Sequence, residues 1–220
     1  GFVVTKRGVI YSDIFIEPEE IKNYKNGQKV VVIIKEWFKN NHAPNGKIIK
    51  SIGLPGETET EIHSILHEYG LPYVFPKEVE KEAEQLINKI DKKELKKRRD
   101  FREETTLTID PVNAKDFDDA LSLKIINKDL FEIGIHIADV SHYLKENCLM
   151  EKEAYERGTS IYLVDRVVPM LPEKLSNELC SLREKEEKYT FSAVFQMNNK
   201  SEVLNEWYGK TVIKSDKRFS

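Results

Sequence analysis

The chain has 220 residues, of which 40% are hydrophobic and 33% charged; that suffices for one large or two small domains with a buried core and argues against long disorder. Its 35 basic and 38 acidic side chains leave a formal charge of −3, so it is no polycation, and any nucleic-acid binding must rest on local patches. No run of about 18 apolar residues occurs, so no membrane span is expected, and Gly1-Phe-Val-Val4 lacks the basic and apolar features of a signal peptide.

Residues 1–53 read as β. Phe2–Thr5 is one short strand, Val9–Ile16 contains a second, and Lys29–Trp37, dominated by β-branched residues, is the longest. Turn chemistry at Asn41-His-Ala-Pro-Asn-Gly46 leads into a return strand over Lys47–Ile52. Short strands separated by turns predict a small OB-type barrel.

Residues 54–104 change character after Leu54-Pro-Gly56. Apolar spacing predicts a helix over Glu57–Tyr69, stopped by Gly70, and a second, highly charged helix from Lys77 to about Arg99. This is expected to be a linker between two domains. Lys92, Lys93, Lys96, Lys97, Arg98, Arg99 and Arg102 form a basic cluster; a solvated helix face is favoured over phosphate steering.

Residues 105–220 should open a second, mixed α+β domain. Thr106–Ile109 and Ala120–Ile126 read as strands, followed by a strand over Leu130–Val140 in which His136 is expected to be a satisfied core histidine. A helix at Glu151–Arg157, an extended Ser160–Val164, a short helix at Pro172–Leu179 and two antiparallel strands, Tyr189–Met197 and Glu202–Ile213, complete it. Cys148 and Cys180 form no CxxC and are expected to be reduced thiols of a cytosolic protein. His63 and His67 are spaced for zinc, but Ser64 stands where HExxH requires Glu, so they read as a surface pair. The absence of an initiator Met and the end at Lys217-Arg-Phe-Ser220 suggest a piece of a longer protein.

The chemistry concentrates in Ile109-Asp-Pro-Val-Asn-Ala-Lys-Asp-Phe-Asp-Asp-Ala120, where Asp110, Asp116, Asp118 and Asp119 fall within ten positions. The bland alternative is a solvated acidic turn. The apolar flanks weaken it, because they draw the carboxylates against buried backbone, where like charges are costly. Lys115 alone cannot neutralise four aspartates. Divalent cations with hard oxygen ligands, Mg²⁺ most plausibly and Mn²⁺ as a substitute, are the economical solution. A calcium EF-hand counted from Asp116 fails, with Leu121 and Asn127 where Gly and Glu are required. An aspartyl-phosphatase DxD directly after a buried strand fits poorly.

This same stretch resembles the signature of the ribonuclease II/ribonuclease R catalytic (RNB) domain. Gly158-Thr-Ser-Ile-Tyr-Leu-Val-Asp-Arg-Val-Val-Pro-Met-Leu-Pro172 and Leu175-Ser-Asn-Glu-Leu-Cys-Ser-Leu182 resemble later blocks of that domain, in family order, with the bacterial ribonuclease R branch nearest. Gly1-Phe-Val-Val4 and Asp13-Ile-Phe-Ile16 are similar to the paired nucleic-acid motifs of cold-shock domains. The resemblance implies a cold-shock-like barrel (1–53) lacking its first strand, a helical linker (54–104) and the first part of an RNB domain (105–220). It assigns metal binding and catalysis to Asp110, Asp116, Asp118 and Asp119, Asp118 being most critical, and packing on a terminal base to Tyr162. Phe2 and Phe15 become candidates for base stacking, with a core role open for each. The implied activity is Mg²⁺-dependent, hydrolytic 3′→5′ exoribonuclease action on single-stranded and also structured RNA by a cytoplasmic monomer. The family's catalytic domain is longer than residues 105–220, so weak or no activity is expected of this chain. A non-catalytic RNA-binding module is the rival reading.

Overall fold

The structure, a computed structural model, describes residues 1–5, 12–37 and 43–220. The architecture is α+β, as expected, and the chain divides into two compact units, Gly1–Tyr73 and Val74–Ser220. Among the described residues no helix is long and apolar enough to cross a membrane.

In the first unit, β1 (Phe2–Val3), β2 (Ile14–Ile16), β3 (Lys29–Glu36) and β4 (Asn45–Gly53) form a sheet in the order β1-β2-β4-β3. The expected beginning of the second strand at Val9–Tyr11, and Asn41–His42 of the expected turn, lie outside the described residues. Ile14, Ile16 and Ile48 are buried against Val30, Val32 and Ile34. Gly46 permits this closeness: a Cβ there would stand 2.5 Å from Ile14 and 2.6 Å from Val32. Two helices, α1 (Pro18–Ile21) and α2 (Thr58–Glu68), belong to this unit, α2 burying Thr60 and Leu66.

The second unit does not contain the long helix expected from Lys77 to Arg99. Helix α3 (Lys77–Glu84) stops early, a single turn, α4, spans Lys92–Leu95, and Arg99–Phe101 is strand β5, parallel to β12 (Val203–Lys214). Two side chains explain the break. Asp91 caps α4 by accepting from the Lys93 N–H at 2.9 Å. Arg98, whose side chain is fully buried, then turns inward to Asp139 Oδ2 (2.7 Å), Glu94 Oε1 (3.0 Å) and the carbonyls of Thr190 and Thr211, with its guanidinium 4.3 Å above the Tyr189 ring. Arg99 pairs with Glu132 and Arg102 with Asp100 and Glu187. The lysines of the cluster remain in solvent, but its arginines are structural.

β6 (Thr105–Ile109), β7 (Asp119–Asn127), β8 (Leu130–Ala138), β11 (Glu187–Asn198), β12, β5 and the terminal β13 (Lys217–Phe219) build a seven-stranded sheet in the order β13-β6-β7-β8-β11-β12-β5. Its buried face is the more polar one. Glu132, Gly134, His136 and Ala138 of β8 point inward, while Ile135 and Ile137 stay exposed with Leu121, Leu123 and Phe191. His136 is completely buried and lies between Ser192 Oγ (2.6 Å) and Ser122 Oγ (2.8 Å), the satisfied core histidine expected. Helices α5 (Val140–Tyr143) and α6 (Leu149–Arg157), the hairpin β9 (Ile161–Tyr162)–β10 (Val167–Val168), and a π-helix over Lys174–Cys180 complete the unit. Phe101, Phe117, Leu175, Leu179, Leu182 and Ile213 form its core.

Two expectations follow. Burial pushes the His136 pKa down to about 4, with the Arg99 charge adding to the effect. The folded state therefore takes up no proton there between about 6.5 and 4, whereas the unfolded chain does. Stability is complete above pH 6.5 and should fall by about 3 kcal/mol as pH drops toward 4. Urea midpoints across that window check this, and His136→Gln should flatten the slope. Arg98→Ala strands buried Asp139, whose carboxyl burial would raise but Ser141 and Arg98 hold below its usual range. A loss on the order of 3–5 kcal/mol is expected by denaturant unfolding, with Arg98→Ala/Asp139→Asn losing less than the sum of the single changes.

Candidate active site

Strands β6 and β7 pair from Thr105↔Leu123 to Leu107↔Leu121 and then separate. The bend between them, residues 110–118, is fixed from several sides. The Asp110 N–H donates to Phe219 O (3.0 Å), so β13 holds its start. Arg218 donates to the carbonyls of Pro111 (2.7 Å) and Val112 (3.1 Å), with its guanidinium 4.6 Å above the Phe117 ring. Buried Phe117 anchors the middle in the core. The Phe117 N–H donates to Ser181 Oγ (3.0 Å), the Ser181 hydroxyl donates to Lys115 O (3.2 Å), and the Leu182 N–H donates to Phe117 O (2.8 Å). At the exit, the Ala138 N–H donates to Asp118 O (2.9 Å). Since Phe117 points into the core, locally extended backbone would turn Asp116 and Asp118 the other way.

The acids act on one another through their charge. Asp118 keeps an exposed surface, yet its pKa is raised, first by desolvation and then by the charges of Asp116, Asp119 and Asp110. Asp110 Oδ2 is buried and accepts no hydrogen bond. Lys115 lines an open pocket of about 390 Å³ with Phe117, Glu173, Asn177, Glu178 and Arg183. Tyr162, at the end of β9, is exposed and donates to Asp116 Oδ2 across a long 3.5 Å; the Asp116 charge, ahead of burial, raises its pKa.

Hard carboxylate oxygens with an orphaned buried acceptor and uncompensated like charge suit a divalent oxophilic cation. The arrangement is open all the same: among the described residues no three His, Cys, Asp or Glu side chains converge as a ligand cage. Asp139, at the end of β8, directs its carboxylate to Arg98. Cys148 and Cys180 are free thiols, and burial pushes Cys180 up to about 12, too high for a nucleophile at neutral pH. His63 and His67 pack against the Tyr73 ring.

In the first unit, Phe2 and Phe15 stand opposite each other on β1 and β2, with ring centroids 5.6 Å apart. Ile14 and Ile16 are buried, and Phe15 between them, on the opposite face of β2, is half-buried; Phe2 is 60% exposed. Of the pair, Phe2 is the member that faces solvent.

Three residues that the sequence reading gave no role at the site act on or near the bend: Arg98, Ser181 and Arg218. Ser181 lay in a block singled out only for its resemblance to the RNB domain, just past the expected short helix, and Arg218 in the last four residues, which were given no structure.

The RNB domain model matches residues 98–220, and the cold shock domain model matches residues 2–76. Ribonuclease R of Thermotoga maritima is 39% identical over 220 residues, 99% of this chain and 31% of the relative. DIS3-like exonuclease 2 of Xenopus tropicalis is 41% identical over 203 residues, 91% of this chain and 24% of the relative. The structure of Mycoplasma genitalium RNase R in complex with ribose methylated single-stranded RNA superposes with a TM-score of 0.87 at 28% identity, covering 100% of this chain and 36% of that one. The chain thus spans between about a quarter and a third of the length of these relatives. With the RNB match running over more than half of its residues, the chain belongs to the RNB domain family.

Proposed function

We propose that this chain is the entry and catalytic-loop portion of a hydrolytic 3′→5′ exoribonuclease that releases nucleoside 5′-monophosphates, with Mg²⁺, or Mn²⁺ in its place, held by Asp110, Asp116, Asp118 and Asp119. The observation that carries the reading is the braced bend, on which the other three aspartates all raise the pKa of Asp118 and, among the described residues, no cation offsets them there. The names of the relatives, ribonucleases and an exonuclease, agree with it.

Phosphodiester hydrolysis requires an activated water, neutralised phosphoryl oxygens and help for the departing 3′ oxygen, and bound divalent ions supply all three. The part of this chain is to present carboxylates. Asp110 offers an unsatisfied buried oxygen, and Asp116 and Asp118 lie on either side of the Phe117 anchor. Tyr162 sets an exposed ring beside Asp116, where a terminal base can pack. In the first unit, Phe2 and Phe15 offer stacking surface for single-stranded RNA, which tolerates any base because every base has a π face. Structured RNA follows as a substrate if the chain works as the Mycoplasma relative, which is also described in complex with double-stranded RNA.

A second reading, an RNA-binding module whose acidic bend holds no metal, draws on the lack of a closed ligand cage among the described residues. Calorimetric titration with Mn²⁺ separates the two. The metal reading expects saturable binding, weakened about tenfold or more by Asp118→Asn; the absence of binding to the wild-type chain would favour the module. In the full-length protein, Asp118→Asn should lower turnover roughly a hundredfold or more while RNA binding persists, and joint loss of both would indicate a structural role. The 220-residue chain itself should release little or no nucleoside monophosphate from a single-stranded oligoribonucleotide with Mg²⁺. Robust processive degradation would overturn the view that the rest of the protein is required.

A further inference from the structure

We propose that Ser181 is the positioning residue of the acidic bend, setting the direction of Asp116 through a single buried hydroxyl. The inference rests on the reading of the bend as a divalent-cation site and assigns that site its brace.

The Lys115 carbonyl belongs to the peptide unit before Asp116, and the Phe117 N–H to the unit after it. Ser181 Oγ donates to the first at 3.2 Å and accepts from the second at 3.0 Å. The two planes that meet at the Asp116 Cα are therefore tied to the same atom, which restricts both backbone dihedrals of Asp116. The following plane, between Phe117 and Asp118, is held by the Leu182 N–H at 2.8 Å, one residue along the same bracing segment. Three consecutive planes thus take their orientation from Ser181 and Leu182.

A hydroxyl suits this place because one oxygen donates and accepts together. Ser181 is completely solvent-excluded, so water cannot take over either bond readily. The brace is itself rigid. Ser181 follows a π-helix, a form frequent near functional sites, and is flanked by Leu179, Cys180 and Leu182, all buried in the core. Ser181→Ala removes one oxygen and leaves these apolar contacts in place. The expected consequence is a loosened bend on an intact fold.

Three proteins test this: wild type, Ser181→Ala and Ser181→Cys, whose sulfur is a weaker donor and acceptor. Amide hydrogen exchange is read at Phe117 and, as a global reference, at Val194 in β11. Affinity is read with Mn²⁺ alone. In Ser181→Ala, Phe117 exchange should accelerate about tenfold or more and Mn²⁺ affinity weaken about tenfold or more, with Val194 protection and the unfolding midpoint nearly unchanged. Ser181→Cys should fall between. Unchanged Phe117 exchange, or a loosened bend with unaltered Mn²⁺ affinity, would overturn the proposal. Global loss of protection in both variants would also overturn it, since the residue would then serve the fold and not the bend. If the wild-type chain binds no Mn²⁺, the metal reading fails, while Phe117 exchange in the variants still decides whether Ser181 holds the bend.

Discussion

The structure depends on a backbone that is not free to relieve its own charge. Four carboxylates on a mobile loop would drift apart into water at little cost. Here the loop is tied at its start to β13, at its middle to the segment after the π-helix, and at its exit to the end of β8. Two nearby arginines are committed elsewhere. Arg218 directs its donors to the carbonyls of Pro111 and Val112 and its face to Phe117. Arg98 is taken up by Asp139 and Glu94. What remains is negative charge held in place on a braced bend, the condition a hard cation relieves.

The polar interior of the sheet serves the same end. A core of large aliphatic side chains would have buried the isoleucines of β8, yet Glu132, Gly134, His136 and Ala138 face inward. Gly134 shows how tight that face is, since a Cβ would collide with Ser122 and His136. Hydrogen bonds of His136 to Ser122 and Ser192 join β7, β8 and β11. Arg98 then pins the end of β8 through Asp139, next to the Ala138 amide that holds Asp118. A directional network of this kind fixes strand register in a way that apolar packing does not. The acids at the strand ends inherit that precision.

Local patterns in the sequence were legible and distant partners were not. The β-branched run of β3, the strands flanking the acidic stretch, the helix ending at Arg157 before left-handed Gly158, and the mutual crowding of the aspartates all follow from neighbours a few residues apart. The helix expected over Lys77–Arg99 failed because helical spacing cannot foresee that Arg98 leaves the surface for Asp139, 41 positions away. The inward face of β8 was legible only at His136: alternation gives two faces but does not say which one is covered, and the more apolar face is the one left exposed. Phe15 illustrates the opposite case, since its flanking isoleucines, read by period two, already implied that it points outward. Ser181 reaches Phe117 across 64 positions and Arg218 reaches Pro111 across 107, so no local spacing could have identified either.

The claim beneath the account is that the bend forces unlike behaviour on ordinary aspartates until a cation relieves it. Carbon-13 NMR titration of the Asp118 carboxyl, with and without Mg²⁺, reads this most directly. The account predicts a midpoint above the usual ~3.9 in metal-free protein, falling when Mg²⁺ is added. An ordinary midpoint that Mg²⁺ leaves unmoved would contradict it.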